Sequence, residues 1–157
     1  MMKLPEFPVE GGCQCRAVRY RIKARPLGVY NCYCRDCQRA SGGTHTISMP
    51  VKRTDFEVIS GEVITYDRAA DSGRVVRMNG CALCGTKLWN DPLADPALVV
   101  VKSGTLDDQS WAVPAGSMWA GSAPPWVVID ATQVNFPGQP PSRQPLLDAW
   151  NRMVDGT

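Results

Sequence analysis

The sequence has no long hydrophobic segment. Its longest apolar run, residues 97–101, is far too short to cross a bilayer and predicts a buried strand instead. The first ten residues contain Pro5 and Pro8 and lack the continuous apolar stretch of a secretory signal. We therefore expect a cytoplasmic protein that is not inserted in a membrane.

Several functional signatures are also missing. The chain has no phosphate-binding loop, no dinucleotide fingerprint and no serine nucleophile motif. It has no long run of basic residues, and its formal net charge is only +2. If its seven cysteines bound two zinc ions as thiolates, the net charge would fall to roughly −1. Nucleic-acid binding would require the fold to gather the scattered basic residues on one face, so we do not expect a nucleic-acid partner.

The composition predicts one domain with many turns. A chain of 157 residues can bury a modest core, and 44% hydrophobic with 20% charged residues is ordinary for a soluble protein. The 13 prolines and 14 glycines indicate little long helix.

Strand patterns dominate the chain. Residues 17–23 alternate apolar Val18, Tyr20 and Ile22 with basic side chains, which is the period of a half-exposed strand. Further strands are predicted at residues 29–32, 44–51, 56–59, 63–66, 74–78, 86–89, 98–102 and 126–129. Turn-forming residues separate several of these strands, at 60–61, 71–73 and 90–92. The sequence therefore predicts a mainly β fold of antiparallel sheets.

Two short helices complete the prediction. Residues 35–40 favour a helical turn that ends at Ser41, Gly42 and Gly43. A proline-rich connection at residues 137–145 precedes a C-terminal helix that docks through one apolar face. That face consists of Leu146, Leu147, Trp150, Met153 and Val154.

The seven cysteines indicate metal binding. A secreted disulfide framework normally has an even number of cysteines, and this chain is expected to reside in a reducing compartment. The cysteines fall into three groups, each spaced as a chelating turn: Cys13 and Cys15; Cys32, Cys34 and Cys37; Cys81 and Cys84. Two thiolates separated by one or two residues can hold one zinc ion, because the intervening backbone folds around it.

The groups predict two different zinc sites. The first and last pairs, Cys13, Cys15, Cys81 and Cys84, complete a closed tetrahedral site that contributes directly to folding. The central Cys32, Cys34 and Cys37 supply only three ligands, which leaves a fourth position for water or substrate, as in catalytic zinc sites.

Other interpretations of these residues remain open. Both sites could be purely structural, and His45 is a candidate fourth ligand for the central group. Asp36 is more typical of a helix cap or turn than of a ligand. A redox role for Cys81 and Cys84 is disfavoured because no βαβ pattern surrounds them. Iron could replace zinc at such thiolate sites.

The three cysteine groups carry a family resemblance. Residues 12–15 with 18–20, 32–37 with 41–42, 81–86 and 104–108 resemble, in order and spacing, the motifs of the glutathione-dependent formaldehyde-activating enzyme family, which includes centromere protein V. Pro125 and Trp126 are similar to a late proline and tryptophan region of that family. The resemblance defines a zinc domain at residues 9–130, with residues 131–157 forming the connection and helix packed on the same domain.

The resemblance implies a fold and a reaction. The fold is expected to be Mss4-like, with a structural zinc at Cys13, Cys15, Cys81 and Cys84 and a labile catalytic zinc at Cys32, Cys34 and Cys37. The implied activity is that of a carbon–sulfur lyase that forms or cleaves S-hydroxymethylglutathione. Glutathione is the expected co-substrate, and the expected partners are therefore a small-molecule thiol and an aldehyde. The sequence does not determine the oligomeric state.

Further residues are candidates around this site. The glutathione carboxylates are expected to meet basic side chains, for which the candidates are Arg16, Arg35, Arg39 and Lys52. Arg16 stands where the family usually has glycine, and residues 117–119 stand where many relatives carry histidine. Large aromatics in a β-rich domain are usually core, which applies to Trp111, Trp119 and Trp126. Asp107 and Asp108 are typical of a turn rather than of a catalytic acid and base.

A second function remains possible from the sequence alone. The chain could be a non-catalytic zinc module that recruits a protein or nucleic acid, as the centromeric relative suggests. The enzyme hypothesis is preferred because the central cysteine group leaves a coordination position open.

Overall fold

The computed structural model describes residues 1–70 and 73–156. Within these residues the chain forms eleven strands and two α-helices. The strands are β1 Val9–Gly12, β2 Arg19–Ile22, β3 Tyr30–Cys32, β4 Thr46–Lys52, β5 Phe56–Ser60, β6 Val63–Ala69, β7 Val75–Cys81, β8 Lys87–Pro92, β9 Leu98–Lys102, β10 Gly116–Met118 and β11 Val134–Asn135. The helices are α1 Arg35–Ser41 and α2 Gln144–Asp155, with 3-10 turns at Arg53–Asp55, Ser103–Thr105 and Ala120–Ser122.

The strands form two sheets. One has three strands in the order β1-β2-β5, and the other has eight in the order β11-β10-β3-β4-β9-β8-β7-β6. The predicted mainly β class, with antiparallel pairing and a short C-terminal helix, is confirmed. The larger sheet is nevertheless mixed, because β10 runs parallel to both β3 and β11.

The alternation in β2 shows why the sheets pack together. Tyr20 and Ile22 are fully buried, while Arg19 and Arg21 on the other face pair with Asp107 and Glu10. The buried face belongs to a core cluster that also contains apolar residues of the larger sheet: Met49, Val51, Leu88, Val99 and Val101. The core therefore lies between the two sheets, and burial of each large apolar side chain there contributes about 1.5–3 kcal/mol.

The helices follow the sequence pattern. Gly42 ends α1 with a φ of 65°, a left-handed conformation that glycine adopts without strain. In α2 the predicted apolar face is turned inward, and Leu146 and Trp150 are both fully buried. None of the helices in the described ranges is long and apolar enough to span a bilayer.

One predicted strand is wrong and three were missed. Residues 126–129 form no strand: the Val127 N–H donates to the Pro124 carbonyl in a turn, and Trp126 is 73% exposed instead of lying in the core. The missed strands β1, β10 and β11 are only two to four residues long. The turn predicted at residues 71–73 includes Asp71 and Ser72, which lie outside the described residues.

Candidate metal centres

The structure brings Cys13, Cys15, Cys81 and Cys84 together. Their sulfur atoms all lie within 4.8 Å of one another. The Sγ atoms of Cys13 and Cys15 are 3.4 Å apart, and those of Cys15 and Cys81 are 3.7 Å apart. A tetrahedral site with zinc–sulfur bonds of about 2.3 Å has sulfur–sulfur edges of about 3.8 Å. The all-thiolate donor set and its spacing therefore fit a zinc ion.

Two tight turns present these four sulfurs. In the first, the Arg16 N–H donates to the Cys13 carbonyl at 3.0 Å, and the Val18 N–H donates to the Cys13 sulfur at 3.2 Å. In the second, the Gly85 N–H donates to the Cys81 carbonyl at 3.0 Å. Gly85 has a φ of 73° and Arg16 a φ of 67°, so both turns pass through the left-handed region. Arg16 thus occupies a conformation that favours glycine.

The thiols of Cys84 and Cys15 ionise very differently. Hydrogen bonds from the Thr86 hydroxyl and N–H lower the pKa of Cys84 to about 5. At Cys15 the Ala17 N–H lowers the pKa, but the neighbouring thiols of Cys13 and Cys84 outweigh it and raise the pKa to about 12. Four thiolates at this spacing repel one another, and a bound zinc ion would offset half of their charge.

The structure also brings Cys32, Cys34 and Cys37 together. Cys32 ends β3, Cys34 caps the N-terminus of α1, and Cys37 lies in the first turn of that helix. The three sulfurs lie within 4.8 Å of one another, and the Cys37 N–H donates to the Cys34 sulfur at 3.3 Å. This is the spacing of one face of a thiolate tetrahedron.

The ionisation of this second group is also uneven. Hydrogen bonds from Cys32 and Cys34 lower the pKa of Cys37, against the effect of burial, and the positive charge of Lys102 lowers it further. Hydrogen bonds with Cys34 and Cys37, together with burial, raise the pKa of Cys32 well above its usual value. Ionisation of one thiol thus opposes ionisation of its neighbour, and three thiolates together require a bound cation.

Neither Asp36 nor His45 belongs to this group of sulfurs. Among the described histidine, cysteine and acidic residues, the group contains three ligands only. The His45 ring is tilted over Tyr33 with the ring centroids 4.8 Å apart, and its Nδ1 is hydrogen-bonded to the Thr44 hydroxyl at 2.8 Å. Asp36 lies in the first turn of α1 and forms an ion pair with Arg68.

The three-cysteine group opens onto a cleft of about 170 Å³. The walls include Tyr30 and Met118 beside the cysteines and Trp119 farther along. Trp119 is therefore partly a cleft residue, whereas Trp111 is buried in the core as predicted. Four basic residues line the cleft: Arg68, Arg74, Lys102 and Arg143.

Lys102 is the most buried of the cleft cations, at 8% exposure. Its Nζ donates to the Thr46 hydroxyl at 3.3 Å and, with the Asn90 amide oxygen turned toward it, to Asn90 at 3.2 Å. Both acceptors are neutral, and the described residues place no carboxylate within 4.0 Å of this ammonium group. A buried cation without a carboxylate partner is costly unless another anion faces it.

The four basic residues that the sequence suggested for glutathione do not line the cleft. Arg35 bonds to Gln38 along its own helix, and Arg39 and Lys52 are exposed. Arg16 lies in the turn of the four-cysteine group. Asp108 caps a turn by accepting from the Ser110 N–H at 2.9 Å, as predicted.

Sequence reasoning missed Lys102, although a signal for it was present. Lys102 ends the apolar strand β9 and shares a face with Val100, which also lines the cleft. A lysine two residues after a buried valine in a strand lies on the same face as that valine, so its charge faces inward. Arg143 carried no comparable signal, because it lies in the irregular segment before α2.

Comparisons with known proteins identify a family and a similar fold. The family model described as glutathione-dependent formaldehyde-activating enzyme matches residues 8–122. A Halomonas elongata protein named "Putative glutathione-dependent formaldehyde-activating enzyme" is 27% identical over 139 residues, which are 84% of this chain and 88% of that protein. A crystal structure of a Rhodobacter sphaeroides protein matches 62% of this chain and 87% of its own, with a TM-score of 0.50 and 20% identity. The last similarity concerns the fold alone.

Proposed function

The chain belongs to the family of glutathione-dependent formaldehyde-activating enzymes, and we propose that it is a zinc-dependent carbon–sulfur lyase. It forms or cleaves a thiol–aldehyde adduct such as S-hydroxymethylglutathione. The observation that carries this proposal is the difference between the two cysteine groups: four sulfurs surround one position completely, whereas three sulfurs face a cleft.

Each group has a distinct role in the proposal. Cys13, Cys15, Cys81 and Cys84 hold a structural zinc, and Cys32, Cys34 and Cys37 hold a second ion beside the cleft. That second ion, when bound, acts as a Lewis acid that keeps the substrate thiol deprotonated at neutral pH. The cleft walls exclude part of the solvent and hold thiol and aldehyde close together, which is the main contribution that such a readily occurring addition needs.

Lys102 supplies a positive charge in the proposed reaction. Three cysteine thiolates with one divalent ion carry a net charge of −1, and an incoming substrate thiolate makes the cleft still more negative. Addition of the sulfur to the carbonyl carbon transfers an electron pair to the aldehyde oxygen, which then takes up a proton. The Lys102 ammonium, fixed by Thr46 and Asn90, places a positive charge beside these anions.

The proposed activity predicts faster exchange between the free reactants and their adduct. Zinc-loaded protein incubated with glutathione and formaldehyde should accelerate S-hydroxymethylglutathione formation and cleavage, because both reactants meet in one cleft. Exchange spectroscopy by NMR measures the rate. The control is buffer with the same zinc concentration and the same thiol. Equal rates in the two samples would eliminate this substrate pair.

Replacement of Lys102 by methionine should weaken metal binding at the three-cysteine group. The two side chains are similar in length, but the variant lacks the positive charge that favours the thiolate form of Cys37. An opposite charge nearby changes a pKa by about one unit or more, so we expect the zinc dissociation constant to rise roughly tenfold. Competition against a chromophoric chelator measures it.

Lys52→Met is the matched control for this variant, since Lys52 is exposed at the end of β4. It should leave the zinc affinity unchanged. If Lys102→Met bound zinc as tightly as the unmodified protein, the ammonium group would have no role in balancing the thiolates.

A further inference from the structure

Arg143 lines the cleft, and most of its guanidinium N–H groups have no hydrogen-bond partner among the described residues. It is the residue immediately before α2, and it is half-buried. Its Nη1 donates to the Tyr30 hydroxyl at a long 3.4 Å, and within residues 1–70 and 73–156 its side chain has no other hydrogen bond and no ion pair. The other two guanidinium nitrogens, Nε and Nη2, have no partner within these ranges and are not fully buried, so they can donate to a ligand in the cleft that Arg143 lines.

Arg143 also lies where two concave regions meet. A second depression of about 420 Å³ adjoins the cleft and is lined by the proline-rich segment, including Pro140, Pro141 and Ser142. Both concave regions share Arg74, Asp95, Gln139 and Arg143. The groove that begins at the three cysteines thus continues past Arg143 and has room for a ligand longer than a simple thiol.

A guanidinium in this position suits a carboxylate. Its planar donors match the two oxygens of a carboxylate, and such charge-assisted pairs are about twice as strong as neutral hydrogen bonds. The side-chain partner of Arg143 is a phenolic hydroxyl and not a carboxylate, so the described contacts leave its positive charge without an ion pair. Asp95 lines the same groove but forms no ion pair with Arg143 within 4.0 Å.

We propose that Arg143 binds a carboxylate of the thiol substrate while the sulfur of that substrate reaches Cys32, Cys34 and Cys37. The substrate class is therefore a thiol that carries a carboxylate, which includes glutathione, in preference to a neutral thiol. The inference rests on the proposed function in one respect, namely that the three-cysteine group receives a thiol. Arg143 lies beyond the residues 8–122 that match the family model, so this chain supplies the contact from its own C-terminal segment.

The test compares two small thiols of similar size on the zinc-loaded protein without aldehyde. 3-Mercaptopropionate carries a carboxylate and 2-mercaptoethanol does not. Calorimetry measures their dissociation constants for the unmodified protein, for Arg143→Gln and for Arg143→Lys. We expect Arg143→Gln to weaken 3-mercaptopropionate binding about tenfold or more, as for one charged hydrogen-bonding group, with little change for 2-mercaptoethanol. Arg143→Lys should recover part of the loss.

The matched control is Arg152→Gln, which removes an exposed arginine from the same helix. It should change neither dissociation constant. An unchanged ratio of the two dissociation constants in Arg143→Gln would overturn the proposal. This includes an equal loss of affinity for both thiols, because a merely structural role affects them alike.

The test of Arg143 and the test of the proposed function can fail independently. Loss of the carboxylate preference with no effect of the protein on formaldehyde exchange would leave Arg143 as a thiol-binding residue of some other reaction. Accelerated exchange with no dependence on Arg143 would retain the lyase and remove the inference. In an active enzyme, Arg143→Gln should raise KM for glutathione while kcat changes little.

Discussion

Replacement of Cys84 by serine is expected to unfold the protein or to lower its Tm by more than about 10 °C. A serine hydroxyl is a poor zinc ligand, so the four-cysteine group would lose one of its four donors. Structural zinc contributes on the order of 10 kcal/mol in small zinc domains, which is comparable with the total stability of a typical protein. A loss of only about 4 kcal/mol lowers the Tm of a chain of this size by roughly 10 °C or more.

The position of this group explains why the effect should be global. Cys13 follows β1 of the three-stranded sheet, whereas Cys81 ends β7 of the eight-stranded sheet and Cys84 lies in the turn to β8. A metal ion bound there would tie the two sheets together at a sequence separation of 66 residues or more. Cys13 and Cys81 both belong to the core cluster between the sheets.

Circular dichroism during heating and the zinc content of the purified protein measure this effect. Leu83→Ser is the matched control: it introduces serine in the same turn at a side chain that is 79% exposed and offers no sulfur. It should retain the Tm of the unmodified protein. A Cys84→Ser protein as stable as this control would show that the four-cysteine group does not hold the fold together.

The strands were predictable where a local pattern set them. Alternation placed Tyr20 and Ile22 on one face of β2, and an apolar run predicted β9 within a residue of its observed bounds. The end of α1 was predictable because Gly42 stops a helix by its own backbone conformation. These features depend on a few neighbouring residues, which the sequence displays directly.

The missed elements depend on distant partners. β10 and β11 are two or three residues long, and β10 is a strand because it pairs with β11 and with β3, which lies more than 80 residues earlier. No local alternation can develop over such a length. Conversely, the apolar residues at 126–129 suggested a strand, but no strand in the described part of the chain pairs with them, and Trp126 remains exposed to solvent.

The same difference, between features set by neighbouring residues and features set by distant ones, separates the cysteine groups from the cleft. Cysteines two or three residues apart form a chelating turn by themselves, so the spacing predicted the three local cysteine groups. The cations of the cleft come from β6, the residue before β7, β9 and the segment before α2, and only the folded chain brings them together. The sequence therefore predicted which cysteines lie together, but it did not predict which basic side chains line the cleft.

Replacement of Cys34 by serine should have the opposite effect to Cys84→Ser, with the fold retained and the activity lost. The Cys34 sulfur caps α1 by accepting the Cys37 N–H, and a serine hydroxyl is one of the best acceptors for that position. The Tm should therefore change by only a few degrees. Loss of a direct ligand should reduce activity by more than about 100-fold, since loss of mere supporting contacts costs 10–100-fold.

Metal content distinguishes this result from a nonspecific loss of activity. The zinc content of Cys34→Ser should fall from about two ions per chain to about one, because the four-cysteine group is untouched. His45→Gln is the control that tests whether the three-cysteine group is open, since His45 was the candidate fourth ligand and its ring instead contacts Tyr33 and Thr44. It should keep both ions. If His45→Gln lost the second ion, the group would be closed by a protein ligand, and a Cys34→Ser protein that unfolded like Cys84→Ser would make both groups structural.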